Sequence, residues 1–85
     1  MTVEELEEAI WEIEGIRVII RAPEGQVVDD YGYQNAAYQT WNVKKFLDDR
    51  VRPCVPGYEV MVIQGNGEEP HNRTLLRNVR PTYHP

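Results

Sequence analysis

Residues 2–22 read TVEELEEAIWEIEGIRVIIRA, and the change of rhythm at Gly15 decides the fold class. Before it, Val3, Leu6, Ile10 and Ile13 recur at steps of three and four, the spacing of one helix face. Thr2 followed by Glu5 makes a capping box, in which the hydroxyl accepts from a free backbone N–H and the carboxylate reaches back. Gly15 is placed to close the helix in the left-handed conformation. After it the period falls to two. Ile16, Val18 and Ile20 alternate with Arg17, Ile19 and Arg21, as in a half-buried strand.

The same reasoning extends to the rest of the chain. PEG at 23–25 is a turn, and QVVDDY at 26–31 is expected to return as a second strand and complete a hairpin. NAAYQTWNVKKFLDDRV predicts a second helix from Asn35 or Thr40 to about Arg50, with Val43, Phe46, Leu47 and Val51 as its apolar stripe and Ala36 in line. RPCVPG at 52–57 reads as a loop and YEVMVIQ at 58–64 as a strand. GNGEEPHN is a polar connection, RTLLRNVR at 73–80 the expected partner strand, and PTYHP an irregular tail. The order helix–hairpin–helix–hairpin predicts a small α+β domain spanning 1–85, two layers with a mainly antiparallel sheet and helices on one face. The covered face is expected to collect Ile16, Val18, Ile20, Val60 and Val62, or the alternate residues of the second hairpin.

The 85 residues are 41% apolar and 27% charged, ordinary globular usage that argues against disorder. The longest apolar run is too short to span a membrane. MTVEELEEAI lacks the basic start and apolar stretch of a secretory signal, so the expected setting is the cytoplasm. Cys54 is the one cysteine, which rules out an intrachain disulfide.

The net charge of −5 is unevenly placed. Residues 1–15 carry six glutamates and no Lys or Arg, whereas residues 16–85 carry nine basic and eight acidic side chains. Glu12 and Glu14 lie near the helix C-terminus, where the macrodipole disfavours negative charge, which hints at another reason for their presence. At the other end of the chain, Arg73, Arg77 and Arg80 lie in a stretch with no carboxylate side chain.

Catalytic and metal chemistry finds little support. Cys54 lacks a base and an orienting partner at any diagnostic spacing. His71 and His84 beside Glu68 and Glu69 do not have the spacing of a ligand set. The doublets Asp29–Asp30 and Asp48–Asp49 are sequential, so their carboxylates diverge. GNG at 65–67 lacks the lysine and the strand-to-helix context of a phosphate loop. No catalytic residue, metal or cofactor is expected.

Aromatic residues point elsewhere. Trp11 lies off the apolar stripe of the first helix, on the side of Glu4, Glu7 and Glu14. YGYQNAAYQTW at 31–41 places Tyr31, Tyr33, Tyr38 and Trp41 in a segment without charge. These rings either complete a small core or form a contact surface, aromatic area being a common interface anchor. The expectation is a small acidic protein-binding module, with Glu4, Glu7, Glu8, Trp11, Tyr31, Tyr33, Tyr38 and Trp41 as partner-binding residues. Its partner would be a protein with a basic, nucleic-acid-binding surface, which would make the chain an inhibitor in the manner of phage-encoded anti-CRISPR or anti-nuclease proteins. A nucleic-acid-binding sheet using Arg17, Arg21, Arg77 and Arg80 with tyrosines is the alternative, although the overall charge weighs against direct nucleic-acid binding. A small enzyme or metal protein built on Cys54 and His71 ranks third. An exposed strand edge also offers a route to a homodimer.

Overall fold

The computed structural model describes residues 1–83; the expectation for His84 lies outside the described residues. Helix α1 covers Val3–Glu14. Its capping box forms as the sequence predicts, Glu5 N–H donating to Thr2 Oγ1 and Thr2 N–H to Glu5 Oε1. Gly15 closes it at φ 66°. Strand β1 (Arg17–Arg21) pairs antiparallel with β2 (Glu59–Ile63), Val18 opposite Val62 and Ile20 opposite Val60. These four side chains and Ile16 are buried, the set expected for the covered face. Arg17, Ile19 and Arg21 turn to the open face, where Ile19 is 42% exposed.

The α+β class and the antiparallel sheet are as expected, but the sheet is two-stranded and its partners are distant in sequence. The two segments read as return strands take other forms. Residues 26–28 lie beside the start of the chain: Val3 N–H donates to Gln26 O, Val28 N–H donates to Met1 O, and Thr2 bridges to Val27. The expected strand at 73–80 is instead a short helix, α3 (Leu76–Val79), continued as a 3₁₀ turn over Arg80–Tyr83. Leu76 and Val79, three apart, are both fully buried, the spacing of one helix face. Tyr83 then seats its hydroxyl at the end of the β1–β2 ladder, accepting from Arg17 N–H and donating to Ile63 O.

The second helix begins later than the sequence predicts. Asn42, not Asn35 or Thr40, is the N-cap, its side chain accepting from Lys45 N–H at 2.8 Å. Helix α2 (Val43–Phe46) widens into a π-helical turn over Leu47–Val51 and ends as a 3₁₀ turn at Arg52–Cys54, inside the segment read as a loop. Pro53 accounts for the change of winding. It has no N–H for the Asp49 carbonyl and its ring would strike that carbonyl in a regular helix. The Tyr33 hydroxyl donates to Asp49 O instead, at 3.2 Å.

Phe46, Leu47 and Val51 join Leu6, Ile10, Leu76 and Val79 in one cluster with the covered sheet face. Asp48 and Asp49 have a plain role. Each makes an i,i+4 ion pair with Lys44 or Lys45, and Asp48 also meets Arg52. Such exposed pairs contribute about 0.3–0.5 kcal/mol each.

Candidate functional site

The six glutamates of α1 divide into two groups. Glu14 turns inward, its side chain fully buried. Arg50 Nη1 donates to its Oε2 at 2.7 Å, and Arg80 Nη2 to its Oε1 at 3.2 Å. The Tyr31 hydroxyl adds a bond to Oε2 at 2.6 Å, and the Ala37 N–H one to Oε1 at 2.7 Å. Arg80 Nε also donates to the Glu14 carbonyl, so one guanidinium both caps the helix end and pairs with its last side chain. The dipole mismatch noted at Glu14 is thereby offset from within the molecule. Segment 31–41, without regular structure, wraps this ion triad: Arg50 donates to Asn35 O, and Arg80 to Ala37 O and Gln39 Oε1. Arg50 lies over the rings of Tyr33 at 4.2 Å and Trp41 at 5.3 Å.

Tyr31 is therefore a core residue, not a surface anchor, and Tyr33 and Trp41 flank a structural arginine. Tyr38 is 75% exposed and rests edge-on against Trp41. Burial first, and then the bond to Glu14, raise the Tyr31 phenol well above the ordinary tyrosine value. Tyr83 is raised by burial as well. The folded chain thus holds these protons more tightly than the unfolded chain. Their contribution is fully present below the ordinary tyrosine pKa of about 10 and is lost as pH rises above it. Thermal melts between about pH 8 and 11 are expected to show this alkaline loss. Tyr31→Phe should be less stable at neutral pH by about 1–3 kcal/mol, since a hydrogen bond to a charged group is lost, and should show a shallower fall above pH 10. An unchanged alkaline slope would contradict the placement of Tyr31.

The other group faces outward. Glu4, Glu7, Glu8 and Trp11 come together along one wall of a groove of about 300 Å³, facing Val18 and Ile19 of β1. Glu4 Oε1 accepts from Gly25 N–H and Glu7 Oε2 from Ile20 N–H, both at 2.9 Å. Among the described residues none of Glu4, Glu5, Glu7, Glu8 and Glu12 makes a salt bridge. Trp11 is half-buried, with the Arg17 guanidinium 4.4 Å from its ring centre and Tyr83 edge-on at 5.3 Å. The residues expected to bind a partner therefore fall into two places: Glu4, Glu7, Glu8 and Trp11 at the groove, and the tyrosines with Trp41 around the Glu14 triad.

The remaining candidates are placed apart. Cys54 is buried, its thiol directed at the carbonyls of Asp30 and Arg50. Burial, then the charges of Asp29 and Asp30, raise its pKa, the opposite of what a thiolate nucleophile needs. His71 Nδ1 accepts from Arg73 N–H within its own turn. Among the described residues no group of three or more potential ligands is placed to hold a metal ion, and no helix is long and apolar enough to cross a membrane. Arg77 and Arg80 lie on the α3 segment, and Arg80 is committed to Glu14, so the basic sheet face expected of a nucleic-acid binder does not assemble. No protein-family model, curated protein or solved structure matches this chain.

Proposed function

We propose that this chain is a protein-binding module that docks through α1 on a basic surface of a partner protein, acting as an inhibitor where that surface is a nucleic-acid-binding cleft. The observation that carries this reading is the division of charge on α1. One glutamate is consumed by the fold, and five remain without a basic partner among the described residues. Repeated negative charge along one helix raises the rate of encounter with a basic surface and selects against acidic ones. Trp11, beside these carboxylates, adds aromatic area of the kind that anchors interfaces.

Glu8 and Glu12 are the residues to test. Both are exposed and neither hydrogen-bonds within the described residues, whereas Glu4 and Glu7 hold the backbone at Gly25 and Ile20. In affinity capture from the native host, the wild-type chain is expected to retain a basic partner, and Glu8→Lys/Glu12→Lys to lose it by about tenfold or more. Equal retention by the double variant would show that α1 is not the contact. The direct nucleic-acid reading draws less support, because its arginines are dispersed and Arg80 is internal.

A further inference from the structure

We infer that the groove between α1 and the outer edge of β1 receives an extended, basic segment of the partner protein as a short additional strand. This inference rests on the docking role of α1 and names how the docking occurs.

The edge is defined by Ile20. Its N–H donates to Glu7 Oε2 and so points away from β2. Opposed residues of an antiparallel ladder alternate between pairs that exchange hydrogen bonds and pairs that do not. Ile20–Val60 is thus a non-bonded pair, and so is Val18–Val62, two residues along. The N–H and C=O of Val18 face the outer edge of β1, and among the described residues neither finds a partner there. Val18 lines the groove with the 5% of its surface that remains exposed, its side chain being turned into the core. Natural sheets cover or charge such edges. Here the Glu7 carboxylate stands in for a neighbouring strand at Ile20 and leaves Val18 free.

Charge selects the occupant. Glu4, Glu7 and Glu8 outnumber Arg17, whose guanidinium lies over Trp11. A second copy pairing edge to edge would bring two sets of three glutamates together, and like charges at an interface oppose association. A basic strand meets none of that penalty. In strand addition the main chain supplies affinity and alternate side chains supply specificity. With its backbone on Val18, the strand sets a Lys or Arg toward Glu4 and Glu8 and an apolar neighbour toward Ile19 and Ile63 on the open face.

The test is an NMR titration of the ¹⁵N-labelled full chain with the peptide acetyl-Lys-Val-Lys-Val-Lys-amide. The expected result is a shift of the Val18 amide and the Trp11 indole that saturates at millimolar peptide. Binding should fall about tenfold with Glu8→Lys, and similarly when the peptide's central amides are N-methylated. No movement at Val18, or equal binding of the N-methylated peptide, would overturn the strand geometry. The outcomes also separate the groove from the docking role. If Glu12→Lys releases the captured partner while the peptide leaves Val18 unmoved, the groove is overturned and docking through α1 stands. If the double variant Glu8→Lys/Glu12→Lys retains the partner as the wild type does, both are overturned.

Discussion

Glu14→Ala is expected to destabilise the protein by about 3–5 kcal/mol, the cost of leaving buried charge without its partner. The side chains of Arg50 and Arg80 are only 13% and 17% exposed, and both converge on this one carboxylate. Removing it strands two guanidinium groups, the Tyr31 hydroxyl and the Ala37 N–H together. Domain stabilities are typically about 5–15 kcal/mol and small domains have the least to spare, so the variant should be substantially unfolded at room temperature. Glu14→Gln keeps the shape but presents an amide NH₂ to an arginine, and should recover only part of the loss. Urea unfolding followed by Trp fluorescence measures both variants. A loss below about 1 kcal/mol for Glu14→Ala would show that segment 31–41 is held by something other than this triad.

Gly65→Ala is the second change with a large expected effect. A Cβ at this position would lie 1.7 Å from the Thr82 carbonyl oxygen and 2.5 Å from its carbon. Both are backbone atoms, so no rotamer change relieves the overlap, and the turn at Arg80–Tyr83 must move away. That movement breaks the bond from Gly65 N–H to Thr82 Oγ1 and withdraws Tyr83 from the end of the ladder and from the edge of Trp11. Overpacking of this kind costs about 1–3 kcal/mol. Gly67→Ala is the control: φ is 85° but no atom lies within 4 Å of the added carbon, so its cost is local backbone strain alone. Trp11 emission should change in the folded Gly65 variant and stay near wild type in the Gly67 variant. Identical spectra in both would contradict the contact.

These two changes mark the boundary of what the sequence makes legible. Local periodicity carried α1, β1 and β2, because each pattern is written within one segment. The covered face of Ile16, Val18, Ile20, Val60 and Val62 followed directly. Pairing did not, because β1 skips the turn at 23–25 and finds a strand some forty residues away, and no residue pattern in 26–31 forbids the nearer hairpin. In RTLLRNVR the apolar residues stand at 75, 76 and 79, a spacing that suits a helix face better than alternation, and Leu76 and Val79 are the two that the fold buries.

The Glu14 triad was legible only as an anomaly, a carboxylate at the wrong end of a helix. Its partners are 36 and 66 residues distant, and nothing local in their surroundings marks them. YGYQNAAYQTW is explained by the same triad. Tyr31 bonds the carboxylate, Tyr33 bonds the carbonyl that Pro53 cannot serve and lies against Arg50, and Trp41 lies against the same guanidinium. The segment is uncharged because the charge it encloses is supplied from elsewhere. At the groove, by contrast, helical geometry alone puts Trp11 with Glu4 and Glu7, because a single element carries all three; the same reading put Glu14 on that side, and the structure turns Glu14 inward to Arg50 and Arg80 and brings Glu8 to the groove instead.

The account depends on the outward carboxylates of α1 being the source of partner affinity, and the ionic-strength dependence of that affinity tests it most directly. For the partner captured by the wild-type chain, the dissociation constant should rise steeply with salt, and the slope should flatten in Glu8→Lys/Glu12→Lys. A dissociation constant that is insensitive to salt, or a slope that the double variant leaves unchanged, would contradict it.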